Sequence, residues 1–385
     1  MLLGEKMNIT DNIKYIGVND HESDLFEGQF EIPDGISYNS YVILDEKIAV
    51  FDTVDAGFTD EWLQNLKKAT TRVDYLIVSH VEPDHSASIL AFTKKFPKAK
   101  IVANQKAFNM LKAFFGTDFS VNGIIVKEGD KLSLGNHVLN FYFAPMVHWP
   151  EVMVTYEQTE EVLFSADAFG RFGALDVPMS WACEARRYYF GIVGKYGAQV
   201  QALLKKLEGP SVSKICPLHG PIIDSDLNYY LNLYNIWSSY KPEKNGVTIC
   251  YTSVYGNTKK AALMLFSYLS DKGVNVSIFD LARDDIHEAV EDAFKNSTLV
   301  LATTTYNGDI FPHMKEFINH LTERSFQNRR VAFIENGSWA PMATKIMKNM
   351  LEKCKNLEII DTGVTILSAL DENSTNQIKA LASEL

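Results

Sequence analysis

Cysteine is scarce in this sequence, with only four residues among 385, and no two of them form a Cys-x-x-Cys pair. Cys183, Cys216, Cys250 and Cys354 are too scattered to indicate a disulfide framework or a thiolate-bound zinc or iron centre. Such usage is typical of proteins in a reducing compartment, and we expect a cytoplasmic protein.

Positive charge and long apolar runs are also in short supply. Lys and Arg total 37 against 48 Asp and Glu, and the resulting net charge of -11 opposes non-specific binding to nucleic acid or to an anionic membrane. No stretch long enough to cross a membrane stays apolar, and the N-terminus lacks the apolar segment of a signal peptide. The sequence therefore predicts no export, no membrane span and no partnership with nucleic acid or membrane.

The pattern of short apolar runs predicts two domains. Up to about residue 240, β-like runs are mixed with helical stretches, which favours an α+β sandwich with its sheets inside and its helices outside. A long helical pattern covers residues 184–207. The polar segment Lys241–Gly246 predicts a linker, after which five strands alternate with five helices, as in a doubly wound parallel sheet. We expect domains at residues 1–245 and 246–385.

A compact group of metal-ligand types follows the apolar run Tyr75–Val78. His80, Glu82, Asp84 and His85 fall within six residues at a predicted strand-to-helix turn, where their side chains can converge on a cation. Without a cation, four adjacent titratable groups would repel or desolvate one another. The same ligand types recur after three later strands, at His148, Asp167 and His219. The sequence therefore predicts a metal centre with room for two ions.

Three loops at the carboxyl ends of strands in the second domain predict a flavin mononucleotide site. The first joins a strand to a helix with hydroxyls and a glycine, as a phosphate cradle requires, and the other two offer glycines and aromatic rings for a flat ligand. The sequence contains no nicotinamide fingerprint G-x-G-x-x-G at this turn, so tightly bound NAD is not expected. The candidate FMN-binding residues are Thr252, Ser253, Val254, Tyr255, Gly256, Asn257 and Thr258; Thr304, Thr305, Tyr306, Asn307 and Gly308; and Asn336, Gly337, Ser338 and Trp339.

The metal motif resembles that of the metallo-β-lactamase superfamily, whose usual loop is H-x-H-x-D-H. Here Glu82 replaces the second histidine, which adds a negative charge and a hard oxygen donor and so favours iron over zinc. The form H-x-E-x-D-H resembles the diiron branch of that superfamily, the flavodiiron proteins. The resemblance implies an αββα sandwich for the first domain.

The resemblance also implies a role for each ligand. One iron is held by His80, Glu82 and His148, the other by Asp84, His85 and His219, and Asp167 bridges them together with an oxygen species. In some relatives the position of His85 is not a ligand. The second domain is similar to flavodoxin, whose phosphate loop reads S/T-x-T-G-x-T, although Tyr255 stands where the third residue is usually Thr.

Taken over the whole chain, the resemblance implies an oxidoreductase. Electrons would pass from an external donor through FMN to a non-haem diiron centre that reduces dioxygen to water, nitric oxide to nitrous oxide, or both. The expected partners are the gas, a rubredoxin-like protein and a second copy of the chain in a head-to-tail homodimer or a dimer of dimers. A reduced deazaflavin such as F420 is an alternative donor.

Two other classes of function stay open at this point. A zinc hydrolase would use a metal-bound hydroxide, but Glu82 and the flavin loops argue against it. A non-catalytic gas sensor would bind its ligand once, whereas an enzyme would consume it continuously with reductant.

Overall fold

The computed structural model describes residues 8–385, and the chain divides into two compact units. One unit consists of the residues up to Tyr189 together with Ala198–Asn235, and the other of Phe190–Gly197 together with Ile236–Leu385. No helix of the described residues is both long and apolar enough to cross a membrane.

The first unit is built on short strands. They are β1 (Ile13–Tyr15), β2 (Val18–Asp20), β3 (Leu25–Phe26), β4 (Phe30–Glu31), β5 (Ile36–Tyr38), β6 (Tyr41–Ile43), β7 (Ala49–Phe51), β8 (Tyr75–Ile77), β9 (Lys100–Ala103), β10 (Ile124–Ile125), β11 (Lys131–Ser133), β12 (Val138–Phe143), β13 (Met153–Glu157), β14 (Val162–Phe164) and β15 (Lys214–Cys216). The helices up to the end of this part of the chain are α1 (Thr59–Ala69), α2 (Pro83–Ser86), α3 (Ile89–Lys95), α4 (Gln105–Phe115), α5 (Trp181–Tyr188), α6 (Gly197–Lys206) and α7 (Leu227–Ser238). Short 3-10 turns occupy Ala56–Phe58, Phe119–Asn122 and Gly194–Tyr196.

Two sheets pack face to face in this unit, as the sequence predicts. One has the order β1-β6-β7-β8-β9-β10 and the other β11-β12-β13-β14-β15. Phe51 of β7 stacks on Phe164 of β14 with ring centroids 3.8 Å apart, inside a shared core of buried apolar side chains from both sheets. In the first sheet, strands β7 to β10 are parallel and are joined by helices α1 to α4, which places the loops after these strands at one edge.

The second unit contains a parallel sheet flanked by helices. Its strands are β16 (Lys244–Tyr251), β17 (Val276–Asp280), β18 (Asn296–Tyr306), β19 (Asp309–Ile310), β20 (Arg330–Asn336), β21 (Glu358–Ile359) and β22 (Val364–Ile366), and its helices are α8 (Asn257–Asp271), α9 (Ile286–Lys295), α10 (Pro312–Glu323), α11 (Ala343–Leu351) and α12 (Glu372–Glu384).

The order of this sheet is β17-β16-β18-β20, with both β21 and β22 beside β20. All of these pairings are parallel, and β19 alone pairs antiparallel, as a hairpin on β18. Numbered along the chain, this is the 2-1-3-4-5 order of flavodoxin-like sheets, whose ligands bind where the order reverses. The doubly wound sheet is thus confirmed, although its fifth strand is split into two short pieces around residues 360–363.

The structure differs from the sequence-based expectation in two connecting regions. The helix expected over residues 184–207 is broken by a π-helical turn at Tyr189–Val193 and a 3-10 turn, because Gly191, Gly194 and Gly197 weaken its interior. The expected linker is partly strand, since β16 begins at Lys244. Gly246 there lies so close to Asn296 that an added Cβ would be 2.4 Å from its side-chain oxygen.

Parts of the predicted first domain belong to the second unit. They are Phe190–Gly197 and residues 236–245. Within that unit, the ring of Phe190 stacks on that of Phe294 with centroids 4.0 Å apart, and the backbone N–H of Glu243 donates to the backbone oxygen of Lys295 at 2.9 Å. Both contacts are with the end of helix α9, and they explain why the two segments group with the parallel sheet.

Candidate metal centre and flavin site

Four loops of the first unit bring the seven predicted metal ligands together. They follow β8, β12, β14 and β15, and all four are at the ends of strands. The side chains form two groups in which the potential ligand atoms lie within 4.8 Å of one another: His80, Glu82, His148 and Asp167 in one, and Asp84, His85 and His219 in the other.

The buried carboxylate of Asp52 holds the start of the loop after β8 by hydrogen bonds to its backbone. Asp52 Oδ1 accepts the backbone N–H of Ser79 at 2.7 Å and that of His80 at 3.3 Å. Pro83 then opens the short helix α2, because its fixed φ suits the first helical position and its missing N–H costs nothing there. The turn therefore projects Glu82, Asp84 and His85 from fixed backbone positions on either side of Pro83.

Distances within the first group place imidazole nitrogens against carboxylate oxygens. His80 Nε2 and His148 Nε2 each lie 3.1 Å from Glu82 Oε2, and His148 Nε2 lies 3.0 Å from Asp167 Oδ2. All of these side chains are largely or fully buried.

The second group repeats this arrangement. His85 Nε2 and His219 Nε2 lie 3.2 and 3.3 Å from Asp84 Oδ2, and Asp167 Oδ1 lies 3.2 Å from His85 Nε2. Asp167 thus presents one oxygen to each group, as a bridging carboxylate would.

The Nδ1 atoms of His80 and His219, which face away from the other ligands, indicate the tautomers of these two histidines. His80 Nδ1 lies 2.7 Å from Glu151 Oε1, and His219 Nδ1 lies 2.8 Å from the backbone oxygen of Ser37. Since an oxygen there can only accept, each Nδ1 carries the proton and each Nε2 in the neutral ring presents a lone pair. These lone pairs point at other acceptors. The one on His80 Nε2 faces carboxylate oxygens, and the one on His219 Nε2 faces the Nε2 atom of His85.

A cation in each of the two groups would give the facing lone pairs and carboxylate oxygens a common positive partner. Both carboxylate oxygens of Asp84 and Oδ1 of Asp167 are buried without a hydrogen-bond partner, which is costly unless they coordinate an ion. Four imidazoles and three carboxylates without a thiolate match the hard-to-borderline character of iron. The donor set of the chain therefore fits two iron ions.

The same crowding shifts the pKa values of the group. Burial alone would lower the pKa of His80, but the carboxylates of Asp167, Glu151 and Glu82 outweigh it and raise that pKa well above its ordinary value. Burial alone would raise the pKa of Asp167, but the imidazoles of His85 and His80 hold it well below its usual range.

A cavity of about 440 Å³ opens next to Glu82 and Asp84. Leu25, Phe26 and Glu27 line this cavity together with Phe58. Partial desolvation and the neighbouring Glu82 carboxylate raise the pKa of Glu27 to about 7. No lysine or arginine is among the described residues that line it, whereas its carboxylates are those of Asp20, Glu22, Glu27, Asp55, Glu82 and Asp84.

Aromatic rings surround the histidines. Trp149 packs edge-on to His80 with ring centroids 5.1 Å apart, and Tyr188 lies 5.5 Å from His219. The Tyr188 hydroxyl is buried and has no hydrogen-bond partner among the described residues.

The three predicted flavin loops lie together at the carboxyl edge of the parallel sheet. Side chains and backbone connect them: Thr252 Oγ1 lies 2.6 Å from Thr303 Oγ1, and Thr304 Oγ1 donates to the backbone oxygen of Asn336 at 3.2 Å. Thr305 Oγ1 accepts the N–H of Met342 at 3.0 Å. These threonines therefore fix the spacing of the loops.

The first loop has the shape of an anion cradle. Gly256 adopts φ +89°, which a side chain would strain, and its N–H donates to Ser253 Oγ at 3.1 Å. Helix α8, of 15 residues, begins directly afterwards at Asn257, with Thr258 buried in its first turn. The N-terminus of such a helix attracts a phosphate dianion.

Large rings at the same edge are unusually exposed. Tyr255 and Trp339 are 93% and 92% exposed, and Val254 and Tyr306 are exposed to nearly half. Asn307 and Gly308, both with positive φ, form the two-residue turn of the β18–β19 hairpin, while Asn336 and Ser338 bond to Ser368. Exposed apolar rings around an anion cradle fit the isoalloxazine and phosphate of FMN.

Comparison with known proteins matches each unit. Residues 36–220 match the family model described as "ODP family beta lactamase", and residues 248–382 match a flavodoxin domain model. The chain is 30% identical over 377 residues to a nitric oxide reductase of Moorella thermoacetica, which covers 94% of both chains. The chain belongs to the flavodiiron protein family.

Solved structures place this flavodiiron protein among similar folds. It superposes on rubredoxin oxygen:oxidoreductase of Desulfovibrio gigas with a TM-score of 0.90 at 26% identity, covering 97% of this chain and 96% of that one. A flavo di-iron protein of Thermotoga maritima, solved as a single-site mutant, gives a TM-score of 0.87 at 26% identity over 97% and 96% of the two chains.

Three residues of this flavodiiron site have no counterpart in the sequence-based list: Asp52, Glu151 and the backbone of Ser37. Asp52 directly follows β7, and Glu151 comes three residues after His148. A carboxylate close to a ligand or a strand end is a weak signal that fits many surface positions as well. Their roles emerge only when burial and partners are known.

Proposed function

We propose that the protein is an oxidoreductase that takes electrons from an external donor through FMN to a non-haem diiron centre, where it reduces dioxygen to water, nitric oxide to nitrous oxide, or both. The observation that carries this proposal is the pair of histidine–carboxylate groups sharing Asp167, in a chain that also contains a flavodoxin-like unit. A hydrolase has no use for a flavin.

The proposed ligands of one iron are His80, Glu82 and His148, and those of the other are Asp84, His85 and His219. Asp167, which faces both groups, would be shared between the two ions, and we propose an oxygen species as a second shared ligand. Bound irons and FMN supply the electrons for the reduction. The chain supplies position, since Glu151 and Ser37 fix the rings of His80 and His219 with Nε2 facing inward.

The cavity beside the centre supports a small neutral substrate. Leu25, Phe26 and Phe58 give it apolar walls, and the charged side chains among its described lining residues are all acids. Glu82 and Asp84 among these acids are proposed metal ligands, but Glu22 and Asp55 are not, and their charges oppose the approach of an anion such as a β-lactam or a phosphoester. Uncharged O2 and NO are not opposed in this way.

The proposed FMN site comprises the three loops at the carboxyl edge of the parallel sheet. Backbone N–H groups around Gly256 and at the start of α8 would hold the phosphate, and the exposed rings of Tyr255 and Trp339 would cover the flavin. Thr252 and Asn336 bond to neighbouring residues and would act through loop position.

The remaining parts of the proposal come from the family. The names of two similar proteins, a nitric oxide reductase and a rubredoxin oxygen:oxidoreductase, favour both gases as substrates and a rubredoxin-like protein as the donor. A cytoplasmic location and a head-to-tail homodimer or dimer of dimers complete it.

The test uses protein reconstituted with FMN and ferrous iron under anaerobic conditions, with both quantified per chain. Reduced rubredoxin, regenerated by its reductase, is the donor, and electrodes record the loss of O2 or NO. Continuous consumption of at least one gas is the expected result. Protein that carries FMN and two irons per chain but consumes neither would refute the proposal.

A further inference from the structure

A buried glutamate lies behind one ligand of the proposed metal centre. Glu151 is 2% exposed, and its Oε1 accepts both the ring N–H of His80 at 2.7 Å and the backbone N–H of Val81 at 3.1 Å. Its own backbone oxygen accepts the side-chain amide of Asn104. The carboxylate is therefore anchored where it touches the loop that carries His80 and Glu82.

The two histidines of the second group, His85 and His219, have no such partner among the described residues. The ring N–H of His219 donates to the neutral backbone oxygen of Ser37, and His85 Nδ1 is buried without a hydrogen-bond partner. Among these three imidazoles, only that of His80 donates to a carboxylate. The two subsites of the centre thus differ in the charge behind their ligands, although their own ligand types are similar.

We infer that Glu151 is a positioning residue that makes the His80–Glu82–His148 subsite the more tightly binding of the two. The inference deepens the proposed function and rests on the proposed ligand set. A carboxylate on the outer nitrogen makes the inner nitrogen of an imidazole more basic and fixes the orientation of the ring. A buried negative charge also favours the higher charge state of a nearby ion, because few other charges screen it there.

Glu151 also couples two ligand loops. It follows His148 by three residues in the chain and bonds to the loop of His80 and Glu82 in space. Its carboxylate bonds to the ring of His80 and to the backbone of Val81, next to Glu82, whereas Asp84, His85 and His219 share no hydrogen bond or ion pair with it among the described residues. Removing its charge should therefore act first on the His80–Glu82–His148 subsite. This confinement to one subsite separates a positioning role from a general role in folding.

The experiment compares wild-type protein with Glu151→Gln in an anaerobic titration of Fe²⁺ against a chromophoric chelator. Wild-type protein should bind two irons in two steps, and E151Q should weaken the tighter step about 10- to 100-fold and leave the weaker step unchanged. The midpoint potential of one iron step should rise in E151Q, since the ferric form loses a nearby negative charge. Neither readout depends on turnover.

The matched control is Asp45→Asn. Asp45 also accepts the ring N–H of a buried histidine, His137, at 2.8 Å, but that pair lies outside the metal groups. D45N should leave both iron affinities and both potentials unchanged. If E151Q yields little folded protein, Glu151→Asp tests the same bond, because the shorter side chain draws the carboxylate away from His80; its effect should also be confined to one step.

Two outcomes would overturn the inference: two unchanged steps in E151Q, or two equally weakened steps. Wild-type protein that fails to bind two irons would instead refute the ligand set, and with it the proposed function. Because the wild-type titration comes first, the two failures are distinguishable.

Discussion

The Nε2 atoms of His85 and His219 face each other at 3.1 Å in the buried centre of the first unit. His219 holds its proton on Nδ1, so without an ion its lone pair points into the neighbouring ring. The carboxylates around them are buried with unsatisfied oxygens. This constellation is unfavourable in the empty protein and favourable once metal is bound.

Metal removal should therefore lower thermal stability. An ion present at about a thousand times its Kd adds about 4 kcal/mol to the free energy of unfolding, which corresponds to a Tm change of roughly 10 °C for a unit of this size. Scanning calorimetry of iron-loaded and chelated protein measures the difference. Asp167→Ala, which removes the shared ligand but leaves the other six, is the control, and its Tm should respond to iron less than that of the wild type. Equal Tm values for loaded and empty wild-type protein would contradict a buried metal centre.

The acidic cavity predicts that anions bind weakly at the irons. Glu22→Gln and Asp55→Asn should each tighten azide binding about twofold, because one charge several ångströms away contributes about 0.5 kcal/mol in a solvated mouth. Added salt should tighten azide binding to wild-type protein, because it screens the repulsion between azide and these two carboxylates. It should have little effect in a variant that carries both E22Q and D55N. Optical titration of the diferric protein provides the dissociation constants. Azide binding that weakens with salt would show that the mouth is not repulsive.

Two exposed rings should contribute to flavin affinity. Trp339→Ala and Tyr255→Ala should each weaken FMN binding roughly 2- to 10-fold, since stacking of aromatic rings is worth about 0.5–1.5 kcal/mol beyond burial. Fluorescence quenching of FMN by the apoprotein measures this. Phe114→Ala, which removes an exposed ring of the first unit, serves as the comparison and should have no effect. Unchanged affinity in both loop variants would place the flavin ring elsewhere.

The pair His137–Asp45 predicts a pH-dependent stability. Burial would lower the pKa of His137, but hydrogen bonds to Asp45 and Glu160 outweigh it and raise that pKa. This contribution is fully present below the unfolded pKa of about 6.5 and is lost as the pH rises through the folded value. His137→Gln should therefore lower the free energy of unfolding by about 1.5 kcal/mol near pH 5.5 and by less near pH 9.

Urea unfolding at the two pH values measures this effect. His21→Gln is a suitable comparison, because His21 pairs with Asp176 at 3.1 Å but the two side chains are 50% and 45% exposed. Such exposed pairs contribute little, so H21Q should change stability by less than about 0.5 kcal/mol at either pH. A loss in H137Q that grows from pH 5.5 to pH 9 would be opposite in sign to the prediction.

Four of the seven predicted metal ligands give a signal in the sequence that is local and chemical, and the structure brings all seven side chains together in two neighbouring groups. His80, Glu82, Asp84 and His85 fall within one turn, and such a cluster has few alternative explanations. The parallel sheet is equally predictable from the sequence, since strands and helices alternate with clear periodicity after residue 246. In both cases a short-range pattern determines the structure.

Other features depend on distant partners. Glu151 is an ordinary acid in the sequence, and only folding brings it to His80 across 71 positions of the chain. The β18–β19 hairpin is a different case: the dipeptide Asn307–Gly308 favours a two-residue turn, but the strand after it is only two residues long, too short to give a periodic pattern of its own. The breaks around Gly191 and Gly194 interrupt an apolar periodicity that by itself predicts one continuous helix.

The short segment Phe190–Gly197 has a consequence for how this polypeptide can be divided. The backbone enters the second unit at Phe190, returns to the first at Ala198 and leaves it again after Asn235, so the two units are interleaved in sequence. A fragment that begins at residue 246 would lack the ring that stacks on Phe294 and would also lack Trp237. No single cut of the gene yields both halves complete, and separate expression of either one requires a rearranged chain.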